Sequence, residues 1–174
     1  MYIVKRNPHN PILSPSEEDA SEAQGTFNGC PVEYGGTTYL LYRSVGNPDP
    51  LSAPSGISTV NVAVARADGV FEKRGRLIAP SEPWDVAGCE DPRVTFFEGR
   101  FVIFYTALSG YPFNARNIKV GIALSQDLKT IDEKHIITPF NAKAMMLFPE
   151  RIGGKITAIV TAHTDEPPAR MCIV

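Results

Sequence analysis

The sequence predicts an all-β chain, an incomplete β-propeller of about three four-stranded blades, and three observations carry that prediction. Short runs rich in β-branched and aromatic residues alternate with Gly, Pro, Asn and Asp, and no long amphipathic helical pattern interrupts them. A turn followed by a strand recurs in register at Gly36, Gly99 and Gly154, as Gly36–Arg43, Gly99–Thr106 and Gly154–Thr161. A second hairpin recurs behind the first: Val62-Ala63-Val64-Ala65 matches Val120-Gly121-Ile122-Ala123, and Ile78-Ala79-Pro80 matches Ile137-Thr138-Pro139. Two hairpins repeating about every sixty residues are the pattern of propeller blades, each of which buries its faces only against neighbours. A β-sandwich, the competing architecture, gives no reason for the same order at a nearly constant offset.

Each unit is read in the same way. In the first, Pro31 to Gly35 forms a strand and tight turn, Gly36–Arg43 the returning strand, and Val62–Asp68 with the run to Ile78 the second hairpin. In the second, Val94 to Glu98, Gly99–Thr106, Val120–Gln126 and the run to Ile137 take those places. In the third, Glu150 to Gly153 precedes Gly154–Thr161, and Ala169–Val174 opens a hairpin in which the sequence stops. Residues 1–174 are therefore expected to be a single propeller domain, truncated at its C-terminal end, with exposed edges and apolar faces. A homo-oligomer that closes the ring is the alternative.

Composition narrows the function. With 43% hydrophobic and 21% charged residues, the chain can bury a core and is too apolar to be disordered. A net charge of -2 without a Lys/Arg run argues against nucleic acid or an anionic membrane as partner. The stretch Met1–Pro8 puts its few apolar residues ahead of the basic ones, unlike a signal peptide, and no run is long enough to span a bilayer. Cys30, Cys89 and Cys172 are widely spaced with no C-x-x-C, which fits neither a disulfide framework nor a metal site and points to a reducing cytoplasm.

The densest chemistry lies in Gly88-Cys89-Glu90-Asp91-Pro92-Arg93-Val94-Thr95, where two carboxylates and a guanidinium surround a proline just ahead of the apolar run Phe96–Tyr105. Pro92 fixes its own φ and biases Asp91 toward extended backbone, so Asp91 and Arg93 leave the chain in a defined relation. Such a cluster suits a polar ligand; a structural turn pair is the bland alternative.

Five motifs in order extend this signal: Phe27-Asn28-Gly29, Leu40-Leu41-Tyr42-Arg43, Glu90-Asp91-Pro92-Arg93-Val94-Thr95, Tyr105-Thr106-Ala107 and Leu147-Phe148-Pro149-Glu150-Arg151-Ile152-Gly153-Gly154-Lys155. Together, from about Asn7 to the end, they resemble glycoside hydrolase family 130, whose β-mannoside phosphorylases and β-mannosidases are five-bladed propellers. The resemblance implies a carbohydrate-active enzyme that cleaves β-mannosides or related β-glycosides with inversion, by hydrolysis or phosphorolysis. It implies Asp91 as the general acid and Asn28 and Arg43 as sugar-binding residues, with Glu90 and Arg93 of the same motif beside the substrate. The residue types suit this chemistry, since one carboxyl group delivers a proton toward the leaving oxygen while amide and guanidinium donors hold sugar hydroxyls. The implied partner is an oligosaccharide or small glycoside, and no cofactor is implied, with inorganic phosphate a candidate co-substrate.

One departure bears on the nucleophile. The family's phosphorylases place basic residues before and after the Leu-Phe-Pro-Glu segment; here Lys143 is the first, as a candidate phosphate ligand, and Thr161 stands where the second is expected. If water attacks instead, an inverting mechanism needs a general base, for which Glu150, Asp165 and Glu166 are candidates. A non-catalytic propeller that binds glycans or protein is the reading from a different class. An arabinanase- or invertase-type propeller is a third, but no early Asp takes the required setting.

Overall fold

The computed structural model describes residues 3, 5, 6, 8–49 and 55–174. The N-terminal stretch weighed as a signal peptide, and the Asn7 from which the resemblance is counted, lie wholly or partly outside the described residues. Within them the chain forms three antiparallel sheets in chain order. Blade 1 contains β1 (Gly25–Tyr34), β2 (Thr37–Val45), β3 (Ser58–Ala65) and β4 (Phe71–Ile78). Blade 2 contains β5 (Gly88–Phe97), β6 (Arg100–Leu108), β7 (Ile118–Ser125) and β8 (Glu133–Ile136). Blade 3 contains β9 (Ala142–Leu147), β10 (Ala158–Ala162) and β11 (Arg170–Ile173). The all-β propeller architecture expected from the repeat is thus the one observed.

Period-two alternation builds the core. Along β6, Phe101, Ile103 and Tyr105 face blade 1, where they join Cys30, Leu41, Val60 and Val62; Val102 and Phe104 face blade 3, where they join Ala142, Leu147 and Val160. Blade 2 is apolar on both faces because it is the middle layer, whereas alternation with polar residues is kept for strands that meet water on one side. Two hydrogen bonds stitch neighbouring blades at their inner strands: Val94 N to Cys30 Sγ at 3.4 Å and Thr95 Oγ1 to the Leu147 carbonyl at 3.1 Å.

The first hairpin of each blade closes as its repeated glycine demands. Gly35 and Gly36 have φ of 57° and 72°, Glu98 and Gly99 47° and 87°, and Gly153 and Gly154 58° and 78°. Two successive positive φ values are the signature of a turn whose twist matches the flanking strands.

Two details of the repeat differ from the reading of the sequence. Pairing places Tyr42 opposite Asn61 and Tyr105 opposite Gly121, and Leu40 opposite Ala63 and Ile103 opposite Ala123, so Ala63 corresponds to Ala123 and not to Gly121. The motif match at Val62 and Val120 is two residues out of step, an error that alternation tolerates because a slip of two keeps every side chain on its own face. In blade 3, Glu150–Gly153 is not the preceding strand: β9 ends at Leu147, a lone Ile152–Lys155 bridge flanks the turn, and β10 begins only at Ala158. Pro149 offers no backbone donor to extend the ladder there.

Candidate active site

Each blade carries a β-bulge in its innermost strand. In β1 the register jumps between Phe27 and Cys30, in β5 between Glu90 and Arg93, and across the β9–β10 pair between Lys143 and Met146. The first extra residue is left-handed in every case: Asn28 at φ 53°, Asp91 at 51° and Ala144 at 51°. Asn and Asp are the side-chain-bearing residues that adopt this conformation most readily, so the local chemistry of blades 1 and 2 agrees with the geometry. The extended Asp91 expected from Pro92 is corrected here: the bulge overrides the pre-proline preference and re-aims the side chain.

The two polar bulges meet across the interface between blades 1 and 2. Asn28 Nδ2 donates to Asp91 Oδ1 at 2.6 Å, and Arg43 Nη1 lies 3.4 Å from the same oxygen. Arg43, on β2 beside the bulge, is fixed from the other side by Glu90, with Nη2 2.5 Å from Oε1, and its guanidinium lies over the Phe27 ring at 4.8 Å. Burial raises the Glu90 carboxyl above its usual range, against the opposing pull of Arg43 and of the Ser58 hydroxyl. Both of these donors to Asp91 take the same carboxylate oxygen, Oδ1.

Of the residues singled out from the motifs, Asn28, Arg43, Glu90 and Asp91 form this one cluster. Arg93 stands apart: it lies past the bulge, and its Nη1 bonds the carbonyl of its own neighbour Pro92 at 3.3 Å. Lys143 lies in the corresponding bulge of blade 3, where its charge acts on Glu90 but its Nζ is held by Asp165 Oδ1 at 3.0 Å. Thr161 is its cross-strand partner, so no second cation flanks it there. Asp165 also accepts from Asn141 Nδ2 at 2.9 Å and Thr164 Oγ1 at 2.9 Å; burial pushes its carboxyl up, but these donors and Lys143 outweigh that and hold it below the usual range. It is therefore a poor base. Glu150 and Glu166 are exposed. Among the described residues no group of three or more His, Cys, Asp and Glu could hold a metal. Cys89 is fully buried, and burial raises its thiol far above the range of a reactive thiolate.

One participant escaped the sequence. Ser58, the first residue of β3, accepts from Arg43 Nε at 3.1 Å and donates to Glu90 Oε1 at 3.1 Å, bridging the blades from a site only 3% exposed. A serine after a long loop carries no motif. Its one trace in the sequence is Gly88, where an added Cβ would lie 3.5 Å from the Ser58 backbone nitrogen and 3.3 Å from Leu108, at φ +147°.

Comparison with known proteins gives the fold a lineage. A sequence model described as beta-1,4-mannooligosaccharide phosphorylase matches residues 56–173, more than half of the chain. The chain belongs to glycoside hydrolase family 130. Two curated relatives from Thermoanaerobacter sp. (strain X514) resemble this family-130 chain. A beta-1,2-mannobiose phosphorylase is 28% identical over 89% of the chain and 53% of its own length, and a 1,2-beta-oligomannan phosphorylase 27% identical over 95% and 55%. The chain thus spans about half the length of the curated relatives it matches. Among solved structures, the Listeria innocua beta-1,2-mannobiose phosphorylase, in complex with beta-1,2-mannobiose, superposes with a TM-score of 0.70 at 19% identity, over 90% of this chain and 57% of that one. A family-130 glycoside hydrolase that targets beta-1,2 mannosidic linkages in Candida mannan gives 0.73 at 21%, over 97% and 57%. A family-43 glycoside hydrolase gives 0.64, so the fold reaches beyond the family.

Proposed function

We propose that this chain is the acid-bearing part of an inverting enzyme that cleaves β-mannosides or related β-glycosides. The observation that carries the proposal is the convergence of Asn28 and Arg43 on one oxygen of Asp91 across the blade interface. Asp91 then delivers its proton toward the leaving glycosidic oxygen, directly or through a sugar hydroxyl, as the bond from the anomeric carbon to that oxygen breaks. A nucleophile attacks the anomeric carbon from the opposite face, which inverts the configuration. Asn28 and Arg43 orient the acid and supply donors to sugar hydroxyls, while Glu90 and Ser58 keep the Arg43 guanidinium in place.

The nucleophile is phosphate or water. Phosphate requires several converging cations. This chain contributes Lys143, already engaged with Asp165, so the remaining positive charge for phosphorolysis has to come from outside it. Turnover of a β-mannoside panel by the full-length protein, with and without inorganic phosphate, decides between the two when free mannose and mannose 1-phosphate are both followed. In the same assay Asp91→Asn is expected to lower turnover by about a thousandfold while sugar binding persists. Undiminished turnover would leave a glycan-binding propeller as the better account.

A further inference from the structure

The bulges of blades 1 and 2 share a buried accompaniment that blade 3 lacks. In each blade one residue of the second strand stands opposite the two bulged residues: Tyr42 opposite Asn28-Gly29, Tyr105 opposite Asp91-Pro92, and Val160 opposite Ala144-Met145. Tyr105, 2% exposed, donates its hydroxyl to Asp85 Oδ2 at 2.8 Å and receives Trp84 Nε1 at 3.4 Å. Its ring crosses the place where a side chain at Gly121 would project, since a Cβ there would lie 2.4 Å from the Tyr105 ring. Asp85, fully buried, also accepts from the Ser81 and Glu82 amides and pairs with Lys134 Nζ at 2.6 Å. In blade 1, Tyr42 donates to Glu22 Oε2 at 3.3 Å, and Glu22, 1% exposed, pairs with Lys73.

The two arrangements correspond member by member. Glu22 and Asp85 lie in the connections leading into β1 and β5, at the same distance in sequence before Asn28 and Asp91. Lys73 and Lys134 lie on the outermost strands, opposite Ala63 and Ala123, and each also bonds a backbone carbonyl: Ser14 at 2.6 Å and Ala79 at 3.0 Å. In blade 3 the connection 137–141 contains no acid, Val160 has no hydroxyl, and Thr138 uses its own side chain on the Val120 amide at 3.0 Å.

Blade 3 forms the same left-handed bulge without these groups, so they are not what makes the bulge. A buried acid held by a tyrosine and a partly exposed lysine is also a poor source of stability compared with the apolar packing that Val160 achieves, and such groups are best explained by specificity of placement. They occur where the bulge carries a side chain of the cluster and are absent where it carries alanine. We infer that Tyr42–Glu22–Lys73 and Tyr105–Asp85–Lys134 are clamps that set the positions of Asn28 and Asp91, which makes Tyr42 and Tyr105 positioning residues for the reaction. The inference rests on the reading of Asp91 as the acid.

Tyr105→Phe and Tyr42→Phe in the full-length protein test it, since each removes one hydroxyl and keeps the ring. Tyr105→Phe is expected to lower kcat about tenfold or more per folded molecule, and Tyr42→Phe to raise KM several-fold, by about the loss a small misplacement of reacting groups produces. A change in KM is not produced by a smaller folded fraction. Amide hydrogen exchange is the second readout: in Tyr105→Phe it is expected to quicken at residues 88–93 while β7 keeps its protection. Wild-type kinetics in both variants together with unaltered exchange at 88–93 would overturn the clamps. Full turnover by Asp91→Asn with quickened exchange in Tyr105→Phe would instead retain the clamp and remove the acid.

Discussion

Blades 1 and 2 solve with charge what blade 3 solves with hydrocarbon. Behind the bulges of Asn28 and Asp91 lie a buried tyrosine and a buried acid, the acid paired with a lysine; behind that of Ala144 lies Val160. All three bulges have nearly the same φ, so the backbone geometry does not depend on the choice. The difference teaches that the repeat specifies the bulge, while the buried tyrosine–acid pair is, among the described residues, an addition of the two blades that meet at the carboxylate cluster. Lys143, the candidate phosphate ligand, sits in blade 3 and takes its partner Asp165 from the loop after β10 instead.

The largest expected effect that sharpens this contrast is on stability. Asp85→Ala strands the Lys134 ammonium at a site where its side chain is 10% exposed, and is expected to cost about 3 kcal/mol. Thr138→Ala in blade 3 removes a neutral hydrogen bond to a backbone amide and is expected to cost about 1 kcal/mol. Equal losses in chemical denaturation would erase the distinction between the blades. The pair also sets a pH dependence. Burial pushes the Asp85 carboxyl up, but Lys134, the Glu82 and Ser81 amides and the Tyr105 hydroxyl outweigh burial and hold it below its usual value. A carboxyl lowered on folding stabilises above its unfolded pKa, about 3.9, and that contribution fades as pH falls through the lower folded value. Asp85→Asn should therefore flatten the acid limb of a melting-temperature profile; an unchanged limb would assign acid sensitivity to other carboxylates.

A smaller effect falls on the blade 1 to blade 2 seam itself. Ser58→Ala removes the hydroxyl shared by Arg43 and Glu90 and leaves their direct pair in place, so KM for a β-mannoside is expected to rise a few-fold, in keeping with about 1 kcal/mol for one hydrogen bond. Unaltered KM would show that Glu90 alone orients the guanidinium. The smallest effect concerns the turns. Glu98 carries a side chain at a position where blades 1 and 3 use Gly35 and Gly153, and its exposed pairing with Arg151 at 2.6 Å is worth little. Glu98→Asn, which suits a left-handed turn residue, should raise the thermal midpoint slightly; a fall would show that the ion pair outweighs the strain.

The recurring glycines and the alternating apolar runs were enough to read the blades from the sequence, because turn chemistry and period-two burial are local properties. The five motifs were enough to read the family and to gather Asn28, Arg43, Glu90 and Asp91 as candidates. Residue spacing did not reveal that Arg93 lies outside the cluster, because a bulge between Glu90 and Arg93 changes which neighbours share a face. Nor did it reveal the correct match of Ala63 with Ala123, since a shift of two leaves the pattern of burial intact.

By itself, then, the sequence determined the two repeated hairpins of blades 1 and 2, the blade 3 turn at Gly154 and the residue types available for glycoside chemistry, all of which are encoded over a few consecutive positions, while the first strand of blade 3 came only from the structure. Only the tertiary structure decided that Asn28 and Arg43 donate to the same oxygen of Asp91, that Ser58 bridges Arg43 and Glu90, and that Tyr42 and Tyr105 stand behind the two polar bulges. The physical reason is distance along the chain. Asn28 and Asp91 belong to different blades, and their contact exists only because apolar burial between the two sheets brings the inner strands together in one register.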